Sequence, residues 1–150
     1  MNPQELRTLI QQTLEPHDLY SPEAEELLMA TCANESHLGQ YRMQIDGPAR
    51  GIFQEEQEDL ADLYTNFLKY HPQYLNAVGQ HTAEDLVEND SLAILVCRLH
   101  YYRFPDKLPE ANDIEGIWSL YKLRYNTPEG AATHDGFMAC YQRYVLGTVH

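Results

Sequence analysis

Apolar residues recur at intervals of three and four along most of this chain, and the interruptions fall at proline, glycine and short polar signals. After Asn2-Pro3, the residues Leu6, Leu9, Ile10 and Leu14 share one face of a helix that Pro16 ends. Ser21-Pro22 repeats that start, a capping residue followed by proline in the first turn, and predicts a second helix running to about Gly39. Between Tyr41 and Gln54 the helical spacing lapses. There Asp46-Gly47-Pro48 and Gly51 predict a turn flanked by short extended pieces, a small hairpin. A third helix carries Leu60, Leu63, Tyr64, Phe67 and Leu68 and stops near His71-Pro72. Thr82 and Asp85 form a capping box, and Asn89-Asp90 marks another start. The run LAILVC, residues 92–97, is apolar all round, as a helix enclosed by others must be. Two further helices carry Ile114, Ile117, Trp118 and Tyr121, then Phe137, Tyr141, Tyr144 and Val145, on either side of the loop RYNTPEGAAT. The pattern predicts a mainly α bundle of about six or seven helices around a central apolar helix, with one hairpin-like excursion.

A chain of 150 residues is long enough for one domain, residues 1–150, with a core that needs no disulfide or metal. Its charge narrows the partners. With 23 acidic against 10 basic residues the formal net charge is −13, a field that repels nucleic acid and anionic membrane surfaces. No apolar run reaches the roughly 18 residues of a membrane span. The N-terminal MNPQELRTLIQQ shows no basic region followed by an apolar core, so synthesis in the cytoplasm without a signal peptide is expected. Cys32, Cys97 and Cys140 are odd in number and far apart, which argues for small buried hydrophobes over a disulfide framework or zinc site. The seven histidines form no HExxH motif and no i, i+4 His pair, so neither a metal nor a cofactor is expected.

One residue stands out against this background. In ATCANESHLGQY, residues 30–41, Glu35 lies among small and apolar neighbours. On a helix of about 100° per residue with Ala24 at zero, Leu28 falls near about +40°, Thr31 about −20°, Glu35 about +20° and Leu38 about −40°. Glu35 thus sits in the middle of the apolar stripe. A carboxylate facing inward must be paired, hydrogen-bonded or protonated. Three readings fit: an ion pair with Arg42, Arg50 or Arg98; exposure through fraying of the helix end; or a raised pKa of the kind a general acid needs near neutral pH.

Glu35-Ser36 followed by Gly47-Pro48-Ala49-Arg50-Gly51-Ile52-Phe53-Gln54 resembles the soluble lytic transglycosylase domain and its goose-type lysozyme relatives. That family shows a Glu-Ser pair and then Gly-Ala-x-Gly-Leu-Met-Gln at nearly this distance. The segment here is one residue longer between its glycines. Asn89-Asp90 and the helix after it look like the family's central helix. Tyr125-Asn126 with Gly130 looks like its Ala-Tyr-Asn-x-Gly segment, with Arg124 in place of the alanine and the glycine late. The resemblance covers roughly residues 20–145 and is nearest to phage-encoded members.

What the resemblance implies is a lysozyme-like fold whose cleft binds the glycan strand of peptidoglycan and cuts the β-1,4 bond between N-acetylmuramic acid and N-acetylglucosamine. Glu35 would be the catalytic acid. Ser36, Gly51, Gln54, Tyr125 and Asn126 would contact substrate, with Gly51 giving the backbone room to approach a sugar. A hydrolase would need a second carboxylate to direct water, for which Asp46, Glu55 and Glu56 are the candidates; a transglycosylase would use the muramyl 6-hydroxyl instead. The setting implied is phage lysis or wall penetration by a virion, with other virion proteins as further partners. The strong negative charge suits delivery by a virion, because an anionic wall repels such a catalyst at long range. It equally suits a second reading, a catalytically inactive lysozyme-like phage protein kept for structure or glycan binding.

Overall fold

The computed structural model describes residues 1–147, within which seven α-helices follow one another. They are α1 (Pro3–Leu14), α2 (Pro22–Ser36), α3 (Gln57–Asn66), α4 (Pro72–Val78), α5 (Asp90–Tyr102), α6 (Ile114–Tyr121) and α7 (His134–Cys140). The start signals act as their chemistry dictates. Asn2 accepts from the Glu5 amide at 2.8 Å, Ser21 from the Ala24 amide at 3.0 Å and Asn89 from the Leu92 amide at 3.0 Å. The expectation of a mainly α bundle holds, and the apolar run 92–97 is buried throughout, inside α5.

A second central helix is present that the hydrophobic pattern did not announce. In α2 every residue from Ala24 to Ala33 is buried, although its sequence includes acidic residues at Glu25 and Glu26. These carboxylates are satisfied internally. Arg7 reaches them at 2.8 and 2.6 Å, Tyr20 and Gln11 donate to Glu25, and Tyr141 donates to Glu26. Thr31 of α2 and Tyr101 of α5 share a hydrogen bond of 2.8 Å, which fastens the two inner helices.

The ends also depart from expectation. The α2 helix stops at Ser36, because His37 takes the left-handed conformation at φ 53°, three residues before the glycine that the sequence nominates. Helix α4 adds to the predicted elements: Pro72, which the spacing marks as a stop, also occupies the first turn of a new helix, where a missing N–H costs nothing. Cys32 and Cys97 are buried, whereas Cys140 is only half-buried. Among the described residues no helix is long and apolar enough to cross a membrane.

Between α2 and α3 the hairpin-like excursion is present in minimal form. Arg50 makes antiparallel bridges with Met43 on one side and Glu55 on the other. Ile52 and Phe53 point from it into the core, both fully buried. Ser36 holds the excursion to α2: its hydroxyl donates to the Ile52 carbonyl at 2.6 Å and accepts from the Gly39 amide at 2.9 Å. Arg42 adds a charged fastening to Asp90 at the start of α5.

Gly51 sits at φ +81°, where a Cβ would come within 2.8 Å of the Leu86 carbonyl oxygen. Gly51→Ala is therefore expected to lower stability by roughly 1–3 kcal/mol in urea unfolding. Gly47→Ala should cost clearly less, since the Cβ there would meet only the movable end of Gln44. Equal losses at the two positions would contradict this account.

Candidate functional site

Glu35 occupies the last turn of α2 and lines a cleft of about 280 Å3. The other walls come from four places: Gln54, Glu55 and Glu56 from the excursion, Asp59 from α3, His100 from α5, and Tyr125, Asn126 and Thr127 from the segment after α6. That segment, Lys122–Asn126, is a π-helical turn, a wider winding often found at functional positions. Two roomier depressions, of about 450 and 560 Å3, contain neither Glu35 nor any residue the sequence nominates for the site. Chemistry, rather than size, singles out the smaller cleft.

None of the three arginines offered as partners reaches Glu35. Arg42 pairs with Asp90, Arg50 with Glu84, and Arg98 donates to the Leu19 carbonyl. Nor has the helix frayed, since Glu35 lies within α2. Its carboxyl oxygen instead accepts the hydroxyl of Tyr121, which is itself held by the side-chain amide of Asn34 at 3.0 Å. Burial pushes the Glu35 pKa up, the Tyr121 hydrogen bond opposes this, and the charge of Asp59 adds to the rise, for a value of about 7. A carboxyl so placed can hold a proton at neutral pH and release it when a better acceptor arrives.

Glu55 is more deeply enclosed, at 2% exposure, and burial together with the charge of Asp59 pushes its pKa up to about 8. Glu56 is half-buried and also raised, by burial first and by Asp59 and Glu58 after it. Tyr125 lies between two other rings, 5.4 Å from Tyr101 and 5.9 Å from Tyr121, both close to parallel.

Comparison with protein-family models, curated proteins and solved structures finds no match. The site therefore rests on its own geometry and on the motif resemblance.

That geometry corrects several nominated residues. Ser36 is fully buried and fastens the excursion, so it contacts no substrate. Gly51 is buried against Leu86, so its missing Cβ makes room for protein backbone and not for a sugar. Asp46 is exposed near the tip of the excursion and lines no part of the cleft, which removes it as a second carboxylate. Gln54 does line the cleft, but its amide donates to the Gly51 and Tyr41 carbonyls rather than to Glu35. Tyr125 presents its ring to the cleft while its hydroxyl turns inward, 2.5 Å from the Phe53 carbonyl. Asn126 lines the cleft and accepts from Lys122 at 2.7 Å.

Three contributors escaped sequence reasoning. Tyr121 is 86 residues from Glu35 and reads as one more core aromatic. His100 is hidden in an apolar helix. Asp59 had a usable signal: it stands three residues after Glu56, where its carboxylate accepts the Glu56 amide at 3.0 Å in the manner of a helix start.

A carboxyl whose folded pKa lies above its unfolded value binds more protons folded than unfolded, so it destabilises increasingly as pH rises from about 4.5 to about 7. Glu35→Gln is expected to be more stable than wild type at pH 8, by up to about 3 kcal/mol, with the gain vanishing towards pH 4. Thermal unfolding across this range, with an NMR titration of Glu35, checks both; a pH-independent difference would refute the raised value.

Proposed function

We propose that this protein cleaves the glycan strand of peptidoglycan at the bond between N-acetylmuramic acid and N-acetylglucosamine, with Glu35 as general acid and then base. The observation that carries the reading is a cleft-lining carboxyl with no cationic partner among the described residues, held by Tyr121 and able to keep its proton to about pH 7. The substrate class comes from the motif resemblance around Glu35 and Gly47–Gln54.

In this reading Glu35 gives its proton to the oxygen of the breaking bond, and positive charge develops at the sugar's anomeric carbon. Glu56 and Asp59 on the cleft wall favour that charge. The Tyr121 hydroxyl stabilises the Glu35 carboxylate that results. The carboxylate then accepts a proton from the attacking hydroxyl. Between water and the muramyl 6-hydroxyl we propose the latter, which needs no second carboxylate; Glu56, which lines the cleft, is the group that hydrolysis would use. Glu55, the buried carboxyl that shares the cleft, has its pKa pushed up by burial and the charge of Asp59, which suits it poorly to act as nucleophile or base. The product would be a 1,6-anhydro end. The net charge of −13 fits a catalyst brought to the wall by a virion or partner.

Digestion of purified peptidoglycan tests this. Wild type is expected to release muropeptides with anhydro ends, Glu35→Gln to release none above background, and kcat/KM to fall as pH rises through about 7, where Glu35 loses its proton. Reducing ends in the products would exclude the transglycosylase route in favour of hydrolysis. Equal release by wild type and Glu35→Gln would remove the enzyme reading, and glycan binding without cleavage would leave a lysozyme-like binding module.

A further inference from the structure

The fate of each proton around Glu55 is fixed by the groups beside it. The Tyr125 hydroxyl lies 2.5 Å from the Phe53 carbonyl and 3.1 Å from Glu55 Oε1. It has one proton, and a carbonyl can only accept, so the shorter contact takes it. His100 has its Nε2 2.9 Å from the Arg124 carbonyl, again a group that can only accept, which places the ring proton on Nε2. Burial lowers the His100 pKa, so the ring is neutral and its Nδ1 keeps a lone pair. That Nδ1 is 3.8 Å from the same Oε1 of Glu55. Both neighbours thus turn lone pairs towards one oxygen. A carboxylate there would face two lone pairs, whereas a carboxylic acid gives its proton to the Tyr125 oxygen at 3.1 Å, Nδ1 being too far at 3.8 Å to take it.

We infer that Glu55 is a positioning residue that acts as an uncharged hydrogen-bond donor to the Tyr125 oxygen, tying the excursion to the π-turn after α6 and so fixing the aromatic wall behind Glu35. The link to the acid is physical at each step. Glu55 holds Tyr125, Tyr125 stacks on Tyr121, and Tyr121 donates to Glu35. The other charged groups that act on Glu55 are consistent with this. Asp59 and Glu35 favour the uncharged form, and Arg103, which opposes them, is already paired with Asp62. This role rests on the proposed glycan cleavage only for its catalytic consequence. The protonation of Glu55 stands apart from it.

Glutamine can donate from the same position, so Glu55→Gln is expected to keep cleavage within roughly threefold of wild type. Leucine leaves the Tyr125 oxygen facing no donor, and Glu55→Leu should lose about 100-fold in kcat with KM little changed, the scale of a misaligned reacting group. Carboxyl-resolved NMR of labelled glutamate provides the arm that needs no activity: Glu55 should remain protonated at pH 7, and Glu55→Gln should leave the Glu35 midpoint at about 7. Glu55 titrating near about 4, as an ordinary glutamate does, would overturn the inference. So would Glu55→Gln being as inactive as Glu35→Gln, which would make Glu55 an ionised catalytic carboxylate. If wild type cuts no glycan at all, the proposed function fails while the titrations still decide the state of Glu55. If Glu55→Leu does not fold, Glu55→Gln and the titration decide it alone.

Discussion

The hydroxyl of Ser36 is the junction on which the site depends. It lies at the end of the buried helix α2, gives its proton to the Ile52 carbonyl and receives the amide of Gly39, so that the helix end and the following excursion cannot separate without leaving buried polar groups unpaired. Ile52 and Phe53 enter the core on one side of that tether. Gln54, Glu55 and Glu56, directly after them, are delivered to the cleft beside Glu35. A neighbour that the motif suggested for binding is thus the reason the cleft residues are where they are.

The electrostatics divide along the same lines. Arginines are used to fasten elements: Arg7 to the α2 glutamates, Arg42 to the head of α5, Arg50 to Glu84, and Arg124 to Asp106. Neither lysine nor arginine is among the side chains that line the cleft. The carboxyls there raise one another, with Asp59 acting on Glu35, Glu55 and Glu56 alike. The cost of burying them falls on protonation rather than on pairing, which is what gives the site proton-transfer capacity near neutral pH.

Much of the fold was legible because its helix starts are chemical. Asn2-Pro3, Ser21-Pro22 and Asn89 each combine a side-chain acceptor with a residue suited to the first turn, and each begins a helix in the structure. The inward position of Glu35 was legible from angular spacing alone, though the wheel carried on past the real end of the helix to Leu38. What was not legible depends on contacts across the chain. The centrality of α2 is hidden because Glu25 and Glu26 look like surface residues until Arg7, Gln11, Tyr20 and Tyr141 surround them. Tyr121 and His100 acquire their roles from partners 86 and 24 residues away, and no local pattern marks them. Pro72 was ambiguous in principle, since the same residue ends one element and begins the next.

The π-turn at Lys122–Asn126 sets a strict length on the chain there. Its wider winding accommodates one residue more than an α turn spanning the same segment, and that extra residue decides which way Tyr125 faces. A natural variant lacking a single residue in this stretch would return to α winding, and everything after the deletion would swing by about 100° around the helix axis. Helix α6 and its core contacts would survive, but the Tyr125 hydroxyl would leave Phe53 and Glu55. Descendants of this protein can therefore lengthen or shorten the exposed loop after Thr127 far more freely than they can change the five residues before it.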